Sequence, residues 1–281
     1  MNISMWSSFF YEDEPEAMLA KLAACGYRHT ELSFEHAQVL LKRPGPVART
    51  AAAFAARAAE HSIAMPQGHL TLSYDPVAVE ADRRAADLDG LKREIELFMH
   101  LGIQAAVLHV DEAAAVEAGW PQAQIDDVRT ASLQTLGAAA AGSGLRFALE
   151  NMSRHLADAP ALLRVIEQSG CREQLGICLD TGHLNLAGGD PAQFVREAGD
   201  ALIALHIADN LRTRDDHLFP FGGTVQWFPF MKTLKASRYT GLFNFEVPGE
   251  RIHEPPFPAL SDILLHKARY GYGLAQLMLG M

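Results

Sequence analysis

The 281-residue sequence has little of several features that define whole classes of proteins. Its three cysteines, Cys25, Cys171 and Cys178, are too few and too scattered for a disulfide framework or a thiolate zinc site. No apolar run reaches the roughly 18 residues of a membrane span. The first residues lack the basic region that opens a secretory signal. We therefore expect a soluble, cytoplasmic protein with reduced thiols and no membrane association.

Positive charge is also scarce. The chain has 24 Lys and Arg residues against 34 Asp and Glu residues, which gives a formal net charge of −10 at pH 7. Proteins that bind nucleic acids usually carry a basic patch, so this balance disfavours a nucleic-acid partner. Hydrophobic residues make up 49% of the chain, enough to bury a sizeable core. No low-complexity linker divides it, and we predict one domain over residues 1–281.

What the sequence does contain is a repeating unit of a short apolar run, a turn and an Ala/Leu-rich helical stretch. The predicted strands are Ile3–Trp6, His29–Ser33, Ile63–Gly68, Ala105–Val110, Leu145–Glu150, Leu175–Asp180, Leu202–Ile207 and Leu242–Val247. The predicted helices are Glu14–Cys25, Val47–Glu60, Arg84–Leu101, Val128–Ala141, Ala159–Ser169, Pro191–Ala198 and Phe228–Ala236. Apolar strands that alternate with helices indicate a parallel sheet covered by helices.

The number of units decides between two parallel-sheet folds. Eight units in 281 residues give about 35 residues each, which is typical of a (β/α)₈ TIM barrel. An open doubly wound sheet usually has a glycine-rich phosphate loop after its first strand, but here Met5-Trp6-Ser7-Ser8 follows instead. We therefore predict a single (β/α)₈ TIM barrel with its active site at the C-terminal ends of the strands.

Potential metal ligands stand at the ends of six successive predicted strands. They are His69, His109, Glu150, Asp180 with His183, His206 and Glu246. In a barrel these groups converge on one mouth. Imidazole and carboxylate without thiolate suit Mn²⁺, Zn²⁺, Mg²⁺, Co²⁺ or Fe²⁺, and a dication would offset the repulsion between crowded carboxylates. The sequence thus predicts a divalent-metal site.

Four segments resemble the xylose-isomerase-like TIM-barrel superfamily, which contains sugar isomerases and epimerases and also endonuclease IV. They are residues 148–151 (ALEN), 175–183 (LGICLDTGH), 206–210 (HIADN) and 245–249 (FEVPG). The resemblance implies one metal held by Glu150, Asp180, His206 and Glu246. It also implies that His183 binds substrate or a second metal, and that Arg212 contacts substrate, with Arg214 as a competing candidate.

Within this superfamily the sequence supports more than one activity. His69, His109 and His183, together with Asp215 and His217, complete the metal-ligand types of endonuclease IV in order. This pattern implies a phosphodiesterase that binds several zinc ions, whereas the acidic net charge and the opening strand favour the sugar enzymes. Ketose 3-epimerases carry a further Glu six residues after the strand-five ligand, and here that position is Leu156.

The resulting expectation is a metal-dependent isomerase or epimerase of a small sugar, ketose or polyol-derived carbonyl compound. Glu150 and Glu246 would transfer the proton through an enediolate, with Mn²⁺ or Zn²⁺ as the first choice of metal and Mg²⁺ or Co²⁺ as others. A dehydratase or lyase is an open alternative, with His109 or His217 as the general acid. Oligomeric state stays open, with a homo-oligomer among the possibilities.

Overall fold

The computed structural model describes residues 1–152, 154–249 and 260–281, and within them eight parallel strands form a barrel. The strands are β1 (Asn2–Trp6), β2 (His29–Leu32), β3 (Ala64–His69), β4 (Ala105–Leu108), β5 (Arg146–Glu150), β6 (Leu175–Asp180), β7 (Leu202–His206) and β8 (Leu242–Phe245). Each strand pairs with its sequence neighbour, and β1 also pairs with β8. A bridge between Ile207 and Phe245 joins β7 to β8 and closes the ring. The predicted TIM barrel is therefore confirmed.

Helices separate the strands and cover the outside of the barrel. They are α1 (Pro15–Ala24), α2 (Phe34–Leu41), α3 (Val47–Glu60), α4 (Ala81–Leu101), α5 (Ala113–Glu117), α6 (Gln122–Ala139), α7 (Ala159–Ser169), α8 (Thr181–Leu186), α9 (Pro191–Ala198), α10 (Trp227–Ala236) and α11 (Leu260–Gly280). None of the helices in the described part of the chain is long and apolar enough to cross a membrane.

Local capping explains where several of these helices begin and end. The Asp158 side chain accepts the backbone N–H of Ala161 at 2.8 Å and so caps α7. At the other end of α7, Gly170 adopts the left-handed conformation that ends many helices, as Gly102 does after α4. Asp180 both ends β6 and caps α8 through the His183 N–H, so a metal-ligand candidate starts a helix directly.

The strands differ from their predicted bounds by a few residues. Four helices were not predicted: α2, α5, α8 and α11. Strand β2 stops at Leu32 because Ser33 caps α2, and β4 stops at Leu108, before the predicted Val110. Helices α2, α5 and α8 span eight residues or fewer, too short for a clear helical period. The strands converge at their carboxyl ends, where every candidate ligand from β3 to β8 lies on or just beyond a strand.

Candidate metal centre

Four side chains from neighbouring strands converge at the mouth of the barrel. Glu150, Asp180 and His206 are the last residues of β5, β6 and β7, and Glu246 follows β8 directly. The strand register places Asp180 beside His206. One ligand atom from each of the four lies within 4.8 Å of the others, and all four residues are buried. The geometry therefore brings together the four residues predicted to hold one metal.

One polar atom on each of these four side chains has no hydrogen-bond partner among the described residues. These atoms are Glu150 Oε1, Asp180 Oδ2, His206 Nδ1 and Glu246 Oε2. His206 Nδ1 lies 3.2 Å from Glu150 Oε1 and 3.0 Å from Glu246 Oε2, close enough for ion pairs but without hydrogen-bond geometry. Buried polar atoms are normally paired, because leaving one unpaired costs about 1–3 kcal/mol. Three carboxylate oxygens and one imidazole nitrogen form a donor set that fits a divalent metal.

The charges in the cluster are mutually dependent. Burial raises the pKa of Asp180 to about 7, and the negative charges of Glu246 and Glu150 add to this rise. Burial also disfavours ionisation of Glu246, but His206 outweighs it and lowers the pKa of Glu246 to about 2. The pKa of Glu150 is lowered well below its usual value, because His206 and His109 together outweigh burial. A bound dication would favour the ionised form of Asp180 against both burial and the neighbouring negative charges.

Two histidines lie beside Glu150: His69 is the last residue of β3, and His109 directly follows β4. His109 Nε2 donates to Glu150 Oε2 at 2.9 Å, and His69 Nε2 lies 3.5 Å from the same oxygen. The two imidazole rings are 5.1 Å apart. Donor atoms of His69, Glu150 and His206 also lie within 4.8 Å of one another, so these residues form a second possible ligand group that shares Glu150.

A separate group at the mouth consists of His183, Asp215 and His217, with Asp215 between the two histidines. His183 Nε2 and His217 Nε2 contact Asp215 Oδ2 at 3.1 and 2.9 Å. Each histidine donates its Nδ1–H to a backbone carbonyl, of Asn151 and Glu246 respectively. Burial opposes their charge, but the pKa of His183 still rises to about 12, mainly through Asp180 and Asp215, and that of His217 rises to about 10, mainly through Asp215.

The loop between β7 and α10 presents Arg212, Asp215 and His217. The backbone at Arg212 is left-handed, with φ +63°, and its Nε donates to Asn185 Oδ1 at 3.0 Å. Arg212 is exposed and lies outside the metal cluster, while Arg214 pairs with Asp216. The structure therefore gives Arg212 an anchored backbone and side chain, whereas Arg214 is engaged by a neighbouring carboxylate.

One buried residue in contact with the cluster was missed by sequence reasoning. Glu31, in β2, lies beneath the metal-ligand candidates and accepts the Nε2–H of His206 at 3.1 Å. It is fully buried. The available signal was a carboxylate inside a short predicted strand, but its partner His206 lies 175 positions away in the sequence. Because both residues lie inside the barrel, only the closed fold reveals the contact.

A large cavity lies elsewhere. Its volume is about 750 Å³, and its lining includes Pro66, Gln104 and Leu242, which lie at or near the amino ends of β3, β4 and β8. It therefore opens at the end of the barrel opposite the metal cluster. In TIM barrels, chemistry takes place at the carboxyl ends of the strands, so the cluster and not this cavity is the candidate site.

Comparisons with known proteins identify the family of this chain. The profile of the xylose isomerase-like TIM barrel family matches residues 19–268. The chain belongs to this family. An uncharacterized protein of Sinorhizobium fredii is 30% identical over 176 residues, which are 60% of this chain and 55% of that relative. The matched part thus spans little more than half the length of this curated relative.

Solved structures that resemble this family member include sugar epimerases. A D-psicose 3-epimerase with D-tagatose, from Clostridium cellulolyticum, superposes with a TM-score of 0.79 at 15% identity, over 99% of both chains. A 3-keto-D-glucoside 4-epimerase from E. coli superposes with a TM-score of 0.76 at 18% identity, over 96% of this chain and 99% of that chain. At such identities the likeness establishes the fold alone.

Proposed function

We propose that the protein is a divalent-metal-dependent isomerase or epimerase of a small sugar, ketose or other polyol-derived carbonyl compound. The main support is the cluster of four buried, unpaired donor atoms on Glu150, Asp180, His206 and Glu246, at the mouth of a barrel. Its structural neighbours include enzymes named as sugar epimerases, which makes a sugar the favoured substrate class. Leu156 occupies the position of the extra Glu of ketose 3-epimerases, so the proposal does not specify carbon 3.

The proposed mechanism assigns the proton transfers to two glutamates. A bound metal would polarise the substrate carbonyl and stabilise the negative charge that develops on its oxygen. Glu150 and Glu246 enter the site from different strands, β5 and β8, and their lowered pKa values leave both ionised at neutral pH. One carboxylate would remove the proton from the carbon next to the carbonyl. In an isomerase that glutamate, now a carboxylic acid, would return the proton to the neighbouring carbon of the enediolate; in an epimerase the opposite glutamate would first take a proton from solvent and then donate it to the other face.

Other side chains would hold the substrate and the bases. His109 donates to Glu150 Oε2, which leaves Oε1 directed at the cluster. Arg212 carries further N–H groups suited to substrate oxygens, and His183 is held by Asn151 and Asp215. Asp215 holds His183 and His217 in fixed orientations through the two contacts described above. These residues would bind and orient a polyhydroxy substrate over the two carboxylates.

The test is hydrogen exchange between solvent and substrate. With Mn²⁺, the wild-type protein in deuterated water should incorporate deuterium next to the carbonyl of at least one member of a ketose panel. Glu150→Gln and Glu246→Gln should each lose about 10²–10⁴-fold of this exchange. Glu167→Gln, at an exposed position on α7, is the matched control and should keep wild-type exchange. Loss of water from a substrate would instead indicate the dehydratase, and an inactive wild type on every ketose would contradict the proposal.

A second candidate function has specific geometric support. The two histidines beside Glu150 and the His183–Asp215–His217 trio flank the central cluster, so nine ligand-type residues line one mouth. This arrangement suits three zinc ions and a phosphodiesterase acting on damaged DNA. Quantitative metal analysis separates the candidates, because the phosphodiesterase requires three zinc ions per chain and cleavage of abasic DNA. One bound ion with deuterium exchange favours the isomerase.

A further inference from the structure

The barrel interior beneath the metal cluster contains a polar layer. Its members are Ser4 from β1, Glu31 from β2, Gln67 from β3 and Asn244 from β8, and each is at most 2% exposed. Such interior layers are dominated by bulky branched apolar residues in TIM barrels. A polar layer at this depth must therefore be explained by the contacts that its members make.

All of these contacts lead to the Glu31 carboxylate. Gln67 Nε2 donates to Glu31 Oε2 at 3.1 Å, and Asn244 Nδ2 donates to the same oxygen. Asn244 is itself held by Ser4, whose hydroxyl donates to Asn244 Oδ1 at 2.7 Å. The other Glu31 oxygen, Oε1, accepts the Nε2–H of His206 at 3.1 Å. No Lys or Arg among the described residues pairs with Glu31, so His206 is its charged or chargeable partner there.

The contact with Glu31 determines which nitrogen of His206 is free. A carboxylate accepts hydrogen bonds and does not donate them, so Nε2 keeps its proton when a metal replaces the proton on Nδ1. Nδ1 therefore faces Glu150 and Glu246 and has no hydrogen-bond partner among the residues described. A metal-binding histidine that donates its other N–H to a carboxylate is fixed in one tautomer and becomes a more basic ligand.

We propose that Glu31 is a positioning residue that orients His206 and strengthens its bond to the metal, with the polar layer holding Glu31 in place. This inference rests on the metal site of the proposed function. Burying a carboxylate away from water is unfavourable, and a neutral or apolar side chain at this position would be buried at a smaller cost in free energy. The cost is recovered only when the charge acts on His206 and, through it, on a bound cation.

The experiment measures metal affinity without turnover. Glu31→Gln keeps an oxygen for the His206 N–H but removes the charge. Mn²⁺ and Zn²⁺ dissociation constants are measured by competition with a chelating dye for the whole chain, and melting temperatures are recorded with metal and with excess chelator. We expect Glu31→Gln to bind metal about 10–100-fold more weakly. That loss corresponds to about 1.4–2.8 kcal/mol, at about 1.4 kcal/mol per tenfold.

The matched control is Asp87→Asn, which replaces another buried carboxylate, on α4, whose contacts are with Asp75 and Arg83. It should keep the wild-type dissociation constant. Without metal, Glu31→Gln should melt below the wild type, because the change removes one partner of a buried pair and leaves the N–H groups of Gln67 and Asn244 facing an amide. Its dissociation constants are therefore measured at a temperature where it is folded. A Glu31→Gln protein with unchanged metal affinity, or one that fails to fold without metal, would overturn the inference and assign Glu31 a purely structural role.

The design separates this inference from the proposed function. If the wild type itself binds no divalent metal, the metal site and the proposed function both fail. If the wild type binds metal and Glu31→Gln binds it weakly, but no sugar undergoes exchange, then Glu31 has the inferred role and the proposed reaction is wrong. If sugars undergo exchange and Glu31→Gln binds metal normally, only the inference about Glu31 fails.

Discussion

Glu94 allows a quantitative test of how burial affects charge in this protein. It lies on α4, fully buried, where Oε2 accepts the Thr71 backbone N–H at 2.8 Å and Oε1 accepts an N–H of Gln38. Burial is the main cause that raises the pKa of Glu94 from 4.5 to about 7, although both hydrogen bonds and His69 oppose it. The carboxyl thus anchors the loop that follows His69, and its charge state changes near neutral pH.

The sign of the effect follows from the raised pKa. Because the folded protein holds this proton more tightly than the unfolded chain, the contribution to stability is fully present below pH 4.5. It is lost progressively as the pH rises through about 7. A pKa of about 7 instead of 4.5 corresponds to about 3 kcal/mol at high pH. Glu94→Gln mimics the protonated acid at every pH, so it should escape this loss.

The assay is urea unfolding of wild type and Glu94→Gln between pH 5 and 8.5, in excess chelator to remove any contribution from bound metal. The unfolding free energy of the variant should rise relative to the wild type by about 2.5 kcal/mol across this range. Glu96→Gln, on the same helix with a side chain 48% exposed, is the control and should follow the wild type. Parallel curves for Glu94→Gln and wild type would refute the assignment of a raised pKa to Glu94.

Three further perturbations test the metal site and its loop. Chelation should lower the melting temperature, because a metal present at 100 times its dissociation constant stabilises the fold by about 2.7 kcal/mol; an unchanged scanning calorimetry trace would contradict this. Gly223→Ala places a Cβ 2.2 Å from Asn210 O, so it should displace the β7–α10 loop and increase its proteolysis, while Gly280→Ala, with open space around it, should not. At Phe221, where φ is +70°, a Gly variant should be about 1 kcal/mol more stable than an Ala variant in urea unfolding. At Phe228, in helix α10, the Ala variant should instead be more stable than the Gly variant. A Gly variant that is more stable than the Ala variant at both positions would contradict backbone strain at Phe221.

The sequence was sufficient to predict the barrel and the meeting of acidic and histidine side chains at its mouth, because both follow from local patterns. Apolar strands of fixed spacing predict the parallel barrel, and a ligand at a strand end must face the mouth. Glu150, Asp180 and His206 therefore came together as expected. The short helix α2 could not be predicted from periodicity, because Ser33 reads as the end of a strand and acts as a helix cap.

Contacts across the barrel could not be predicted in this way. The bond between Glu31 and His206 joins β2 to β7, strands that are not neighbours in the sheet, and it depends on two side chains meeting inside the barrel. Likewise, no local pattern indicates that Asn185 holds Arg212, because the contact depends on the path of the β7–α10 loop. Residues separated in sequence and strand order become partners only when the barrel closes.

Unfavourable features of this protein concentrate at the mouth of the barrel. Of the five non-glycine residues with positive φ in the described chain, Arg212, His217 and Phe221 lie in the loop after β7. In the described part of the chain, eight buried side-chain atoms lack hydrogen-bond partners, and four of them belong to the candidate metal ligands. Folded proteins are stable by only about 5–15 kcal/mol, and strained residues and unpaired buried groups cost about 1–3 kcal/mol each. The rest of the barrel must therefore be stable enough to hold this mouth, and under the proposed function loss of the cation should weaken this end of the barrel first.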